Sequence, residues 1–225
     1  MRPKTYTHKG ITYILRGKHP SLMIWSGTHG DETEVTECVT SYIESHQQDL
    51  PDYLYIPEVS PSAVKRKTRR NKHDRDLNRH FHDNTIDEEA KAVMEIVRPY
   101  SVPLGITFHE DPDRRTSFYM YDSDVMSEEE LKRYRSIMLD TGAKLYTGID
   151  DEADENLRLH VEEGYITTTV DPHEKEMGYS MNWLVEHKVA DRIFIPEVPG
   201  KADMKLKHEI VDGVFRYSLS LLPKT

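Results

Sequence analysis

Apolar positions along the chain fall into two periods, and their alternation outlines a fold. Residues 11–16 (ITYILR) and 22–26 (LMIWS) are short runs of β-branched, aromatic and aliphatic residues bounded by Gly, Lys and Pro. They predict two strands, paired as a hairpin or lying side by side. After the turn GTHGD the period changes. Val35, Cys38, Val39, Tyr42 and Ile43 recur at helical spacing, which predicts an amphipathic helix over 32–48 with Asp31 as its N-cap. A strand at 53–56 follows. Thr85-Ile86-Asp87-Glu88 has the form of a capping box, opening a helix through Ala90, Val93, Met94 and Val97. The run LGITF at 104–108 reads as a buried strand that stops at His109. Beyond it the pattern predicts a strand at 117–121 and a second capping box, Ser127 to Glu130, leading into a helix with Leu131, Tyr134, Ile137 and Met138. Then come a strand at 164–170, a helix at 179–187, a strand at 192–195 that ends on Pro196-Glu197, and a last helix over 205–222.

Strands and helices alternate without repeats or linkers. This predicts one α/β domain, residues 1–225, with a mixed, mostly parallel central sheet flanked by helices. Residues 65–83 fit neither period and are strongly charged. A long irregular segment inside a compact domain is more often functional than idle, so this one draws attention.

Charge narrows the function classes. The chain has 30 Lys and Arg against 40 Asp and Glu, a net charge of −10, which repels phosphate backbones and argues against a nucleic-acid partner. The basic run KRKTRR at 65–70 reads instead as a positive rim that draws anionic substrates, with a solvated loop as the equal alternative. The single cysteine, Cys38, forms no internal disulfide. No run approaches the roughly 18 apolar residues of a membrane span, and the N-terminus lacks the apolar core of a signal peptide. The expectation is a cytoplasmic protein with no membrane partner. The acidic run 150–155 lacks the alternation and central Gly of a calcium loop and is expected to be a solvated loop.

Three chemically active residues share one local position. His29 follows LMIWSG, His109 follows GITF and Glu197 follows IFIP, each just past a strand. In open α/β sheets ligands bind outside the carboxyl ends of strands, so the three can converge although they are far apart in sequence. His29 and Glu32 form H-x-x-E at a turn entering a helix, and His109 would complete a His₂Glu set with an open position for water and substrate. On that spacing alone, a structural role for His29 is an equal reading. The H-x-H pair His80 and His82, with His73 nearby, is a competing ligand source, and a solvent-facing role suits that charged segment better.

Four motifs then occur in a telling order: HGDE at 29–32, DLNRHF at 76–81, TFHED at 107–111 and PEVPG at 196–200. In this the chain resembles the zinc carboxypeptidase family, including its succinylglutamate desuccinylase and aspartoacylase branch, over roughly residues 20–200. The resemblance implies a single zinc-hydrolase catalytic domain with one Zn²⁺ per chain held by His29, Glu32 and His109. It implies that Asn78 and Arg79 grip a substrate carboxylate and that Glu197 is the general base. The family also uses an arginine shortly before its Asn-Arg pair to polarise the scissile carbonyl. Arg69, Arg70 and Arg75 all precede Asn78, and Arg70 is chosen here.

Chemistry agrees with these roles. The guanidinium of Arg79 matches the two oxygens of a carboxylate, and zinc brings the pKa of water from 15.7 to about 7. One of Glu110 and Asp111 is placed to orient a ligand imidazole. The expected function is a zinc-dependent hydrolase that cleaves an amide or peptide bond next to a free carboxylate, like a carboxypeptidase, on a peptide or N-acyl amino acid. The alternatives are an N-acyl amino acid deacylase and a non-catalytic zinc and carboxylate binder on the same scaffold. Enzymes of the desuccinylase branch generally add a C-terminal β-rich domain. Only 28 residues follow Glu197, which leads to the expectation of a more open cleft. The resemblance also implies a tyrosine over the substrate; Tyr165 and Tyr179 lie in the interval between His109 and Glu197, but neither carries a motif and neither is assigned that role. Oligomeric state is left open.

Overall fold

In a computed structural model, which describes residues 2–151, 157–168 and 177–223, the elements follow the alternation in the sequence. The strands are β1 (Lys4–His8), β2 (Ile11–Leu15), β3 (Leu22–Trp25), β4 (Tyr53–Ile56), β5 (Val102–Thr107), β6 (His109–Asp111), β7 (Ser117–Asp122), β8 (Lys144–Leu145), β9 (Gly148–Ile149), β10 (His160–Val161), β11 (Tyr165–Thr167) and β12 (Ala190–Pro199). The helices are α1 (Thr33–Ser45), α2 (Pro61–Arg66), α3 (Glu88–Val97), α4 (Glu128–Asp140), α5 (Ser180–Glu186) and α6 (Met204–Leu219), with a 3₁₀ turn at Leu77–Arg79. No helix among the described residues is long and apolar enough to cross a membrane.

The main sheet runs in the order β1-β2-β4-β3-β5-β12-β7-β11. Its centre, β4-β3-β5-β12, is parallel, while β1, β2 and β7 join antiparallel neighbours. The strand predicted to pair with 22–26 does not: β4 is inserted between β2 and β3. Strand alternation sends Leu22 and Ile24 into a core shared with α1, α4 and α6, and Met23 and Trp25 into a second core under α3 and α5. All four are buried, as expected of a central strand covered by helices on both faces.

Three local differences bear on the site. Helix α1 has Glu32, not Asp31, at its N-cap position, and Glu32 makes no side-chain cap. Instead Glu110 Oε1 accepts from Val35 N at 2.7 Å, so the helix is capped from another strand and the Glu32 carboxylate is free to face the cleft. The capping box at 85–88 is displaced: Asp87 is the cap, accepting from the backbone of Glu89 and Ala90. The box at Ser127 and Glu130 forms as predicted. Residues 65–83 are not structureless, since α2 ends at Arg66, the 3₁₀ turn follows, and Leu77 and Phe81 are buried in the second core.

Candidate metal centre

Central parallel strands deliver the site. Beyond β3 the chain turns through Gly27, whose φ of +64° and close approach to Pro57 O suit a residue without Cβ. Gly30 follows, and a Cβ there would lie 1.9 Å from Ala63 O of α2, so the turn bearing His29 is pressed directly against that helix. On the next strand, His109 opens β6 just past β5. Strand β12 runs on beyond its predicted end, so Glu197 lies within it and not past it. There Glu197 is in register with His109 on one side and Tyr119 on the other. Adjacent strands are about 4.8 Å apart, so pairing alone holds Glu197 beside His109.

His29, Glu32 and His109 are all buried, and their candidate ligand atoms lie within 4.8 Å of one another. Glu32 bridges the rings, with Oε1 2.5 Å from His29 Nδ1 and Oε2 2.9 Å from His109 Nδ1. Two imidazole nitrogens and a carboxylate converging on one point form a donor set that fits a divalent metal. His29 Nε2 donates to Asp76 Oδ1 at 3.0 Å, which turns its Nδ1 toward Glu32. His109 Nε2 is buried with no hydrogen-bond partner among the described residues.

The electrostatics are those of a tightly coupled cluster. Burial alone would lower the His29 imidazole, but the charge of Glu32 and the hydrogen bonds to Asp76 and Glu32 outweigh it and raise the group to about 9. Burial pushes the Glu32 carboxyl up, yet the two histidines together hold it well below the usual carboxylate range. Glu197 behaves in the opposite way. Burial, then the negative charges of Glu32 and Asp111, push its carboxyl well above the ordinary value, with His29 and Arg69 opposing. Carboxyl groups with such divergent environments are a mark of acid–base sites.

A cleft of about 470 Å³ is lined by His29, Glu32, His109, Glu197, Asn78 and Arg79 among others. Asn78 Oδ1 accepts from Ser180 N at 3.0 Å, which ties the 3₁₀ turn to the start of α5. The Arg79 guanidinium lies 4.4 Å from the ring centre of Tyr179, also in the wall. Tyr165 lies elsewhere, its hydroxyl donating to Asp122 inside the first core. His80 and His82 are not part of the cleft wall.

Arg70 requires correction. It is exposed, donates to the Asp74 carbonyl at 3.0 Å and does not line the cleft. Arg69 does: its guanidinium is 3.0 Å from Asp76 and 3.8 Å from Glu32. The left-handed Lys67 ends α2, and Gly30 N donates to Thr68 O at 3.0 Å; just beyond, Arg69, its side chain itself 47% exposed, reaches Asp76 and Glu32, whereas Arg70 does not. Arg75 instead pairs with Asp87 at 3.4 Å. Neither Glu110 nor Asp111 bonds the ring of His29 or His109. Glu110 binds Lys207 at 2.5 Å, and Asp111 accepts from Arg114 and Tyr119.

Sequence reasoning missed other residues of the cleft lining. Arg114 stacks 3.5 Å from the ring centre of Tyr146, beside Tyr119 and Tyr121, and Tyr121 donates to Asp150 at 2.7 Å. Asp150, expected in a solvated loop, is 4% exposed. Residues 152–155 of that run lie outside the described residues. No short-range pattern marks these side chains, because only tertiary packing brings them to the cleft.

Comparison with known proteins agrees with the motif resemblance. Residues 18–100 match the family model described as the Succinylglutamate desuccinylase/Aspartoacylase catalytic domain, a span that holds every site residue named above from His29 to Arg79. No curated protein matches the chain. Among solved structures, a candidate metallopeptidase of Shewanella denitrificans OS217 superposes with a TM-score of 0.76 at 20% identity, covering 97% of this chain and 83% of its own. A candidate carboxypeptidase A from the same organism gives 0.66 at 15% identity over 99% and 66%. An aspartoacylase family protein of Mesorhizobium loti gives 0.59 at 19% identity over 96% and 63%. The chain thus has the α/β fold shared by these carboxypeptidase-like and aspartoacylase-like structures, and over residues 18–100 it carries the succinylglutamate desuccinylase/aspartoacylase catalytic-domain pattern.

Proposed function

We propose that this protein is a zinc-dependent hydrolase that cleaves an amide or peptide bond adjacent to a free carboxylate. One observation carries the reading: a three-donor metal set, an acid–base carboxyl and two arginines share a single cleft. His29, Glu32 and His109 would hold the zinc, which supplies a Lewis acid that makes water a nucleophile near neutral pH. Arg79, with Asn78 beside it, grips the substrate carboxylate through the paired donors of its guanidinium and so sets which bond faces the metal set. Arg69, held by Asp76, donates to the scissile carbonyl oxygen as negative charge develops there. Glu197 takes the proton of the attacking water and delivers it to the leaving nitrogen. Its raised pKa suits the second, proton-donating half of that task, and the cation beside it favours the first.

Glu197→Gln keeps the shape and hydrogen-bonding reach of the side chain but cannot shuttle the proton. It is expected to retain the metal and lose on the order of 10²- to 10⁴-fold in kcat. Full activity in that variant would overturn the role. A deacylase acting on N-acyl amino acids is the second reading, favoured by the family match over residues 18–100. A hydrolysis screen of C-terminal peptides against N-acyl amino acids, with and without chelator, separates the two.

A further inference from the structure

Apart from Arg69, the basic run that opens residues 65–83 is left unused by this chemistry, although it is fixed to the turn that carries His29. Lys65, Arg66, Lys67 and Arg70 are exposed, and none has a carboxylate within ion-pair distance among the described residues, in a chain whose net charge is −10. Its attachment is rigid. Gly30, next to His29, has no room for even a Cβ against Ala63 of α2, and it donates its N–H to Thr68 O. Lys67 N donates to Val64 O at 3.1 Å, and Thr68 Oγ1 donates to Arg70 O at 2.8 Å. Arg69, in the middle of the strip, faces inward and lines the cleft. Lys67 is two residues from it, so their α-carbons are no more than about 7 Å apart. A free positive strip therefore begins at the lip of the cleft and leads outward.

We infer that Lys65, Arg66 and Lys67 form an accessory docking strip for acidic residues of a peptide substrate whose reactive end enters the cleft. This rests on the hydrolase reading above and narrows its substrate class to acidic peptides. The charge balance favours a short acidic segment over a nucleic acid. A duplex carries one charge per ~1.7 Å and would overlap the negative remainder of the surface, whereas two or three carboxylates are matched within the strip itself. Exposed charges of this kind act mainly on encounter and on KM, and their effect fades with salt.

The test uses the full-length protein and two labelled peptides with the same C-terminal residue, one carrying three Glu upstream and the other three Gln. Binding is read by fluorescence anisotropy, and hydrolysis in parallel. Wild type is expected to prefer the Glu peptide by about tenfold at low ionic strength, and the preference should fall to about twofold at 0.5 M salt. The Lys65→Gln/Arg66→Gln/Lys67→Asn variant, with Asn chosen because it tolerates the left-handed backbone, should lose the preference while binding and cleaving the Gln peptide as wild type does. Equal affinity of wild type for both peptides, or a preference that survives the triple substitution, overturns the strip. So does displacement of the Glu peptide by duplex DNA at matched charge, which would mark an unselective polyanion surface. If the preference behaves as expected but neither peptide is cleaved, the docking strip stands and the hydrolase reading falls.

Discussion

Lys207 offers a quantitative test of how the candidate metal centre is supported from behind. Its side chain is fully buried on α6, with Nζ 2.5 Å from Glu110 and 2.5 Å from Glu34. Glu110 follows His109, caps α1 through Val35 N at 2.7 Å and offers its own N–H to Glu32 at 3.3 Å. One ammonium thus ties α6 to the segments that carry Glu32 and His109. Lys207→Met keeps the volume and removes the charge, stranding a carboxylate that is only 7% exposed. Breaking a buried pair in this way costs about 3–5 kcal/mol, and the surviving bond from Val35 places the loss near the lower figure. Glu34 is more than half exposed, so its share is at most about 1 kcal/mol. For a domain of this size, about 3 kcal/mol lowers Tm by roughly 6–12 °C. Lys207→Met/Glu110→Gln removes the stranded charge while leaving an acceptor for Val35 N–H, and should recover about 2 kcal/mol. Urea titration of wild type, both single variants and the double variant gives the coupling. A single-variant loss under 1 kcal/mol, or no recovery in the double variant, would refute the reasoning.

Other outcomes follow from the same structure. Asp87 is buried, and although burial raises its carboxyl, bonds from Asn71, Ala90 N, Glu89 N and Arg75 hold it below the ordinary value. Because the folded pKa is depressed, its contribution is complete above the unfolded value near 4 and is lost as pH falls through the folded one. Asp87→Asn should therefore flatten the acid limb of a stability-against-pH curve below about pH 4, and an unchanged limb would contradict this. Gly30→Ala drives a methyl into the backbone of α2 and should cost about 2–4 kcal/mol in denaturant titration, whereas wild-type stability would show that the turn yields freely. Arg69→Lys should lower kcat by on the order of 10²-fold, as expected on removal of a transition-state donor, while Arg70→Lys leaves it unchanged. Equal effects in steady-state kinetics would undo the exchange of roles between the two residues.

The candidate site was legible because strand ends are legible. His29, His109 and Glu197 each close an apolar run, and parallel pairing of β3, β5 and β12 then aligns those ends without further information. Asn78 and Arg79 were found through a motif rather than a period. Arg69 was missed for a local reason: which of two adjacent arginines turns inward depends on the left-handed Lys67 and on the Gly30 to Thr68 bond, and neither is encoded in the spacing. Asp76 stood in the quoted motif DLNRHF, but its pairing with His29 spans 47 positions. The N-cap at Asp31 failed because the cap of α1 comes from Glu110 in another strand. Local propensity could not anticipate a donor–acceptor pair supplied by tertiary packing.

Zinc content is the most direct measurement of the central claim, that Glu32 and not a neighbouring acid completes the metal set. Elemental analysis after dialysis against trace zinc should find about one ion per chain in wild type, Asp31→Asn and Glu34→Gln, and almost none in Glu32→Ala. Zinc retained at wild-type level by Glu32→Ala, or absent from wild type itself, would contradict it.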